Sequence, residues 1–269
     1  VNFKEDNNMV MTIEIEVSEF QDLIESVALK GKYNSGDTTK NGQLSNYAWL
    51  ISDGEYLHAY NADTTTICAA RVQNEGIATT SWIVDIEKTV KYLKAFSGEV
   101  TLLVGDYLTI SHETTTAKVP LVSEHPHNDY IGRIATFTND MRSDNPSWGD
   151  GLPIFGTTQF EAEIIVSEDE LKRVSSVCDA VNIARYKFEF NSTCEPDVTL
   201  VMSSTKSMNE TIDTSVAFTI AEGDSATVEF NGQFAKFLNG AVRLYLKDDA
   251  PVLFVTTNRL LLKAPYLSR

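Results

Sequence analysis

Three lysines, Lys88, Lys91 and Lys94, recur between Asp85 and Phe96 among the apolar residues Ile86, Val90, Leu93 and Phe96. Advancing about 100° per residue from Lys88 puts Lys91 at roughly 300° and Lys94 at roughly 240°, while the apolar four centre on roughly 145°. The ammonium groups therefore line the face opposite the apolar one. Such a stripe can neutralise phosphates without reading base sequence. It can equally be the solvated side of an ordinary amphipathic helix. Lys172 and Arg173 in a second helix, and Lys236 in a third, also fall off their apolar faces, so six of the chain's 22 basic residues share this placement. The helix that begins at Ser18 runs against the pattern: it exposes Glu19, Asp22 and Glu25, with Lys30 and Lys32 only beyond its end.

These cations belong to an acidic chain. Its 269 residues carry a net charge of −16 and a pI near 4.6, with 42% hydrophobic and 22% charged residues. Composition alone argues against a nucleic-acid partner, which usually announces itself as a basic domain, so only placement can favour one. Catalytic signatures are lacking: there is no Gly-rich phosphate loop, no HExxH and no GxSxG. Cys68, Cys178 and Cys194 are odd in number and have no CxxC spacing. His125 and His127 fall in a polar linker and read as ordinary linker residues rather than metal ligands. Asp53, Asp63 and Asp85 sit at turns and a helix start, where carboxylates cap backbone N–H groups. The expectation is no catalytic activity, no cofactor and no metal. No apolar run approaches a membrane span and no secretory pattern is present, so a cytoplasmic setting is the default.

The elements that must position the cations come twice. Glu14 to Val17 lies in an alternating strand; Ser18 with Gln21 fits a capping box, and Phe20, Leu23, Ile24 and Val27 form a helical face. About 150 residues later the phrase returns as Glu163 to Val166, Ser167 with Glu170, and Leu171, Val174, Val177 and Cys178. A second phrase runs from Val84 to Leu121 and again from Val228 to Leu267. In each, a helix (Asp85 to Phe96; Asn231 to Leu238) ends at Gly98 or Gly240, and strands close on Lys118-Val119-Pro120 or Lys263-Ala264-Pro265. Strands are also expected at Tyr47 to Ser52, Tyr56 to Tyr60, Thr65 to Val72, Tyr186 to Phe190, Val198 to Ser203 and Ser215 to Ile220. Lys32 to Asn46 reads as a polar loop and residues 1–11 as a leader. The organisation predicted is α+β: a domain at 1–121, a connector at 122–158 and a like domain at 159–269. Each domain packs two helices on antiparallel sheets of eight or nine strands. Of the connector's scattered apolar residues, Ile131, Ile134, Phe137, Trp148, Ile154 and Phe155, at least some should dock onto a domain.

Two like domains, a long connector and a closing Leu262-Lys263-Ala264-Pro265 together resemble the DNA polymerase sliding clamps of the PCNA type. Phe160 to Lys172, with Leu152-Pro153-Ile154-Phe155 before it, looks closer to the trimeric clamps of tailed phages. The resemblance covers nearly the whole chain. It implies a DNA-clamp fold and a homotrimeric ring, a processivity factor that encircles double-stranded DNA and tethers a DNA polymerase and a clamp loader. It places Lys88, Lys91, Lys94, Lys172, Arg173 and Lys236 toward the DNA. It implies a partner-binding pocket at Ile131, Ala264, Pro265 and Tyr266, and subunit edges at Thr114 to Val119 and Val198 to Ser203. The setting would be host-cell cytoplasm for a viral clamp and nuclear for a eukaryotic one. Two alternatives stay open: a β-rich virion or assembly protein that binds no DNA, and a monomeric clamp-fold factor, which should be more basic.

Overall fold

Some strands, such as Tyr47–Ser52 and Ala162–Ser167, bury every second residue, while Tyr56–Ala62 and Val252–Val255 are buried on both faces, and this difference decides how they stack. The computed structural model describes residues 11–29, 46–74, 79–125, 129, 131–132, 135, 152–179, 185–193, 198–207 and 210–266. Residues 1–10 of the expected leader, nearly all of the 32–46 loop, His127, Ile134, Phe137, Trp148, Cys194 and Leu267 lie outside the described residues, while Met11 opens the first strand.

The first half runs β1 (Met11–Glu16), α1 (Val17–Ser26), β2 (Tyr47–Ser52), β3 (Tyr56–Ala62), β4 (Thr66–Gln73), β5 (Thr80–Asp85), α2 (Ile86–Leu93), β6 (Glu99–Val104), β7 (Tyr107–His112) and β8 (Thr115–Pro120). A small hairpin follows, β9 (Ile154–Phe155) and β10 (Thr158–Gln159). The second half runs β11 (Ala162–Ser167), α3 (Glu168–Asp179), β12 (Arg185–Asn191), β13 (Thr199–Ser207), β14 (Glu210–Ser215), β15 (Ile220–Gly223), β16 (Ala226–Asn231), a single 3-10 turn (Ala235–Phe237), β17 (Ala241–Leu246), β18 (Val252–Val255) and β19 (Arg259–Lys263).

The duplication appears in the sheet order. Four strands β1-β6-β7-β8 match β11-β17-β18-β19, and β4-β3-β2-β5 match β14-β13-β12-β16. Across the middle, β19 pairs antiparallel with β4, which fuses strands of both halves into one nine-stranded sheet. The inward faces build one main core, from Ile13, Phe20 and Leu50 through Phe188, Phe230, Phe234 and Phe254. Ile131 of the connector, Phe160, Tyr60 and Leu262 form a second, smaller cluster, with Phe155 packed against it. Ile131 is fully buried there, whereas Ile154 is 57% exposed.

Local chemistry explains most of the turns. Asp53 Oδ1 accepts from the N–H groups of Glu55 and Tyr56, and Asp63 Oδ1 from those of Thr65 and Thr66. Asp85 N-caps α2 by accepting from Lys88 N–H at 3.0 Å. Gly98 and Gly240 both adopt positive φ (73° and 66°), with nothing within 4 Å of a built Cβ, so backbone conformation rather than space selects glycine there.

Several expectations are corrected. Ser167 does cap α3, through Glu170 N–H at 3.2 Å, but Ser18 caps nothing. The N-cap of α1 is Glu16, two residues earlier, and Gln21 bonds to Glu25 instead. The expected helix from Asn231 to Leu238 is only a 3-10 turn, because Gly232 at φ 78° breaks its entry and Phe234, Phe237 and Leu238 are all drawn into the core. Among the described residues the second half thus holds one α-helix, α3, and this 3-10 turn in the place of the second. The expected strand Ser215 to Ile220 divides into β14 and β15: the N–H of Ala217 turns to Glu170 Oε1 and that of Thr219 to the Ile165 carbonyl. Finally, in the expected edge Val198 to Ser203, Thr199 to Ser203 lies in β13, which is paired on both sides; the edges of that sheet are β14 and β16. The other expected edge, Thr114 to Val119, corresponds to β8 and does lie at a sheet edge.

Candidate nucleic-acid interface

Helix α2 presents the lysines because its other face is consumed. Ile86, Thr89, Val90 and Leu93 are buried, and Thr89 Oγ1 donates to the Asp85 carbonyl at 2.7 Å. Lys88, Lys91 and Lys94 are exposed, and among the described residues none of them forms an ion pair. Lys91 in the last turn and Lys94 at the C-cap also sit where the helix dipole favours cations.

The cations of α3 are held differently. Lys172 is paired with Glu168 one turn earlier. Arg173 makes two 2.7 Å bonds to the Glu170 carboxylate and a third, at 2.9 Å, to the Ser215 carbonyl. The partners are themselves anchored: Glu168 accepts from Gly240 N–H and Glu170 from Ala217 N–H. Lys172 chiefly holds the Glu168 carboxyl below its ordinary range, and Arg173 does the same for Glu170. Each charge is thus neutralised at short range.

Lys236 is drawn back against the fold. Its Nζ donates to the Ala28 carbonyl at 3.1 Å, just past the end of α1, and stands 4.6 Å above the Phe237 ring. Burial lowers its pKa. Of the six cations read from the sequence, the structure brings the three of α2 together as a free cluster and ties the other three into the fold. The acidic stripe of α1 is partly tied as well, since Asp22 receives the Arg259 guanidinium at 2.7 and 2.9 Å.

The closing phrase makes its own contacts. Ala264 N–H donates to the Thr65 carbonyl, Pro265 bridges to Phe230, and Tyr266 N–H donates to the Glu229 carbonyl. The Arg185 guanidinium lies 3.6 Å over the Tyr266 ring, which is 36% exposed. Ile131 belongs to the buried second cluster, and none of Ala264, Pro265 and Tyr266 does. Of the four residues expected to form one pocket, Ile131 is therefore a buried core residue, Ala264 bonds beside β4, and Pro265 and Tyr266 run along β16.

No family model matches the sequence, and no curated protein matches it. Solved structures do. The DNA polymerase sliding clamp of Bacillus subtilis superposes with a TM-score of 0.72 at 11% identity, covering 100% of this chain and 67% of that one. The β subunit of the Streptococcus pyogenes DNA polymerase gives 0.70 at 11%, covering 100% and 68%. An A. fulgidus PCNA bound to the C-terminal region of FEN-1 gives 0.66 at 14%, with 96% and 99% of the two chains covered. This chain has the sliding-clamp fold.

Within the clamp fold one charged residue was missed by sequence reasoning. Lys263 is 4% exposed, and its Nζ donates to Thr66 Oγ1 at 2.7 Å across the β19–β4 seam. Burial brings its pKa down to about 8, against the pull of Asp63. The available signal was the run Leu260-Leu261-Leu262, which marks a strand buried on both faces and makes the next residue a core position. Among the described residues no group of three or more His, Cys, Asp or Glu side chains is placed to hold a metal ion, and no helix is long and apolar enough to cross a membrane. His125 is buried, with Nε2 3.2 Å from Asn61 Oδ1.

Proposed function

We propose that this protein is a DNA sliding clamp. Copies close head to tail into a ring, the ring encircles duplex DNA, and it tethers a polymerase and the loader that opens it. Domains at 1–121 and 159–269, joined by a connector at 122–158, supply two of six ring segments, so three copies complete the circle. One observation carries the reading: in a clamp-fold chain of net charge −16, the exposed cluster of unpaired cations on α2 is Lys88, Lys91 and Lys94.

The mechanism is topological. Phosphate contacts by lysine are sequence-independent and weaken with salt, and a closed ring needs few of them because the duplex cannot leave sideways. The remaining negative charge repels DNA from the outer surface and favours threading over external binding. Function then resides in enclosure and tethering, with no bond made or broken. The A. fulgidus PCNA is seen holding a segment of FEN-1. By that likeness, Ala264, Pro265 and Tyr266 form the surface of a peptide dock here, with Ile131 beneath it as support. Ring closure uses β8 and β14, one edge strand from each of the two four-stranded sheets.

The test reverses the cluster. Lys88→Glu, Lys91→Glu and Lys94→Glu together should abolish stimulation of a polymerase on primed DNA while sedimentation shows unchanged assembly. Full stimulation by the triple variant would overturn the reading.

A further inference from the structure

The two halves treat one equivalent sheet edge differently. Val17 N–H donates to the Gly98 carbonyl at 2.9 Å and Glu168 N–H to the Gly240 carbonyl at 2.8 Å, so β1 and β11 hold the same register against β6 and β17. Glu14 therefore corresponds to Ile165, and Ile13 to Ile164. In the second half β15 covers the far side of β11, with Ile220 opposite Ile165, Ala221 opposite Ile164 and Glu222 opposite Glu163. In the first half β1 ends its sheet.

The backbone groups that such a strand would satisfy are turned outward on β1. The bond at Val17 puts the N–H and C=O groups of Ile15 and Ile13 on the β6 side, and those of Glu14 and Thr12 on the open side. Thr219 N–H donates to the Ile165 carbonyl where β15 begins, and Asn74 Nδ2 donates to the matching Glu14 carbonyl. Among the described residues this is the one hydrogen bond made to the open side of β1.

Charge marks the same place. Where the second half has Ile165, Ser167 and Ala241, the first half has Glu14, Glu16 and Glu99. These three glutamates are exposed, and none forms an ion pair among the described residues. Glu16 stands directly opposite Glu99, a like-charge pairing that weakens the ladder.

We infer that the open edge of β1 takes up an extended segment of a partner protein as an added antiparallel strand, in the place that β15 fills in the second half. The register of β15 specifies that segment. It has a lysine or arginine opposite Glu14, a small apolar residue opposite Ile13 and a polar residue opposite Thr12. The apolar residue repeats the part of Ala221, which packs against the main core. The basic residue meets Glu14 directly and Glu16 on the diagonal, within reach of a long side chain. The partner is thus a protein with an exposed alternation of basic and apolar residues. Its site is separate from ring closure and from the surface at Ala264, Pro265 and Tyr266.

The probe is a fluorescein-labelled peptide, Lys-Val-Lys-Ala-Thr-Gly, whose second lysine falls opposite Glu14 and whose alanine falls opposite Ile13. Fluorescence anisotropy should show it binding the full-length protein. Hydrogen exchange at the Thr12 and Glu14 amides should be fast in the free protein and slowed by the probe. Thr12→Pro removes one outward N–H and no bond to β6, so it should weaken binding at least about tenfold without lowering Tm. Glu14→Lys combined with Glu16→Lys should turn the preference to Glu-Val-Glu-Ala-Thr-Gly. Any of three results overturns the proposal. Absence of binding at about 1 mM probe removes the site. Equal binding by wild type and Thr12→Pro means that the acidic surface holds the probe by charge alone, and that the carboxylates only guard the edge. Thr12 and Glu14 amides already protected in the free protein mean that the chain covers this edge itself.

Discussion

Helices α2 and α3 both turn cations outward, yet they present different surfaces to a ligand. On α2, Glu87 stands four residues before Lys91, yet its carboxylate accepts from Asn46 Nδ2 and makes no ion pair with that lysine among the described residues. On α3, Glu168 precedes Lys172 by four residues and Glu170 precedes Arg173 by three, the spacings at which helical side chains meet. The same residue types therefore give a free cationic cluster in one half and internal clips in the other. A count of basic residues on helix faces overstates a binding surface wherever a carboxylate one turn earlier closes an ion pair, and spacing alone does not separate Glu168–Lys172, which closes, from Glu87–Lys91, which does not.

The strongest way to break this contrast is to exchange the two surfaces. Reversing all three α2 lysines should eliminate polymerase stimulation, whereas Lys172→Ala should leave it within about twofold, because an already paired lysine releases few counterions. Equal losses in the two variants would erase the distinction. Next in size is the seam lysine. Its folded pKa of about 8 lies below its ordinary 10.5. The cost of a charged buried lysine is therefore fully present below pH 8 and is relieved as pH rises toward 10.5. Denaturant unfolding at pH 7 and pH 10 should show wild-type stability rising relative to Lys263→Met, by at most roughly 3 kcal/mol. Parallel pH profiles would show that the ammonium is solvated.

A smaller effect is expected at the α3 clip. Glu170→Gln weakens the hold on Arg173 and should cost about 1–2 kcal/mol of stability, read as a lower Tm. It should also steepen the salt dependence of DNA binding by about one phosphate as the arginine is released. An unchanged salt slope would mean that Arg173 remains on the β14 edge. The smallest effect concerns Asp53. Burial pushes its pKa up, but the N–H groups of Tyr56 and Glu55 and the His58 ring outweigh that and hold it at about 2, below its ordinary 3.8. The stability from this turn is present above about pH 4 and is lost as pH falls through 2. Acid titration should therefore destabilise wild type more than Asp53→Asn in that window.

Much of the fold was legible. The strand Tyr47–Ser52 agrees with expectation to the residue, and Tyr186 to Phe190 falls within β12, because alternation of apolar side chains is a local signal. The repeat was legible too, but its register was not. Aligning Lys118 with Lys263 by their shared Lys-x-Pro spacing is off by one position. The ladders put Val119 opposite Leu108 and Lys263 opposite Val252, so Lys263 corresponds to Val119. In a strand one residue is the difference between core and solvent, which is why one lysine is exposed and the other buried. The exposed face of the α2 lysines was legible from helical periodicity; the carboxylates that hold Lys172 and Arg173 stand within a turn of them in the sequence, whereas the carbonyl that holds Lys236 lies 208 residues away.

The sequence alone determined the duplicated strand and helix units, the turns capped by Asp53, Asp63 and Asp85, and the lysine face of α2, all set by contacts within a few residues. Tertiary structure alone decided that β19 would join β4, that Lys236, Arg259 and Lys263 would fasten the two halves together, and that β8 and β14 would remain as edges. Those outcomes depend on which strands meet after long stretches of chain close, and one-residue periodicity carries no record of the partner a strand will find.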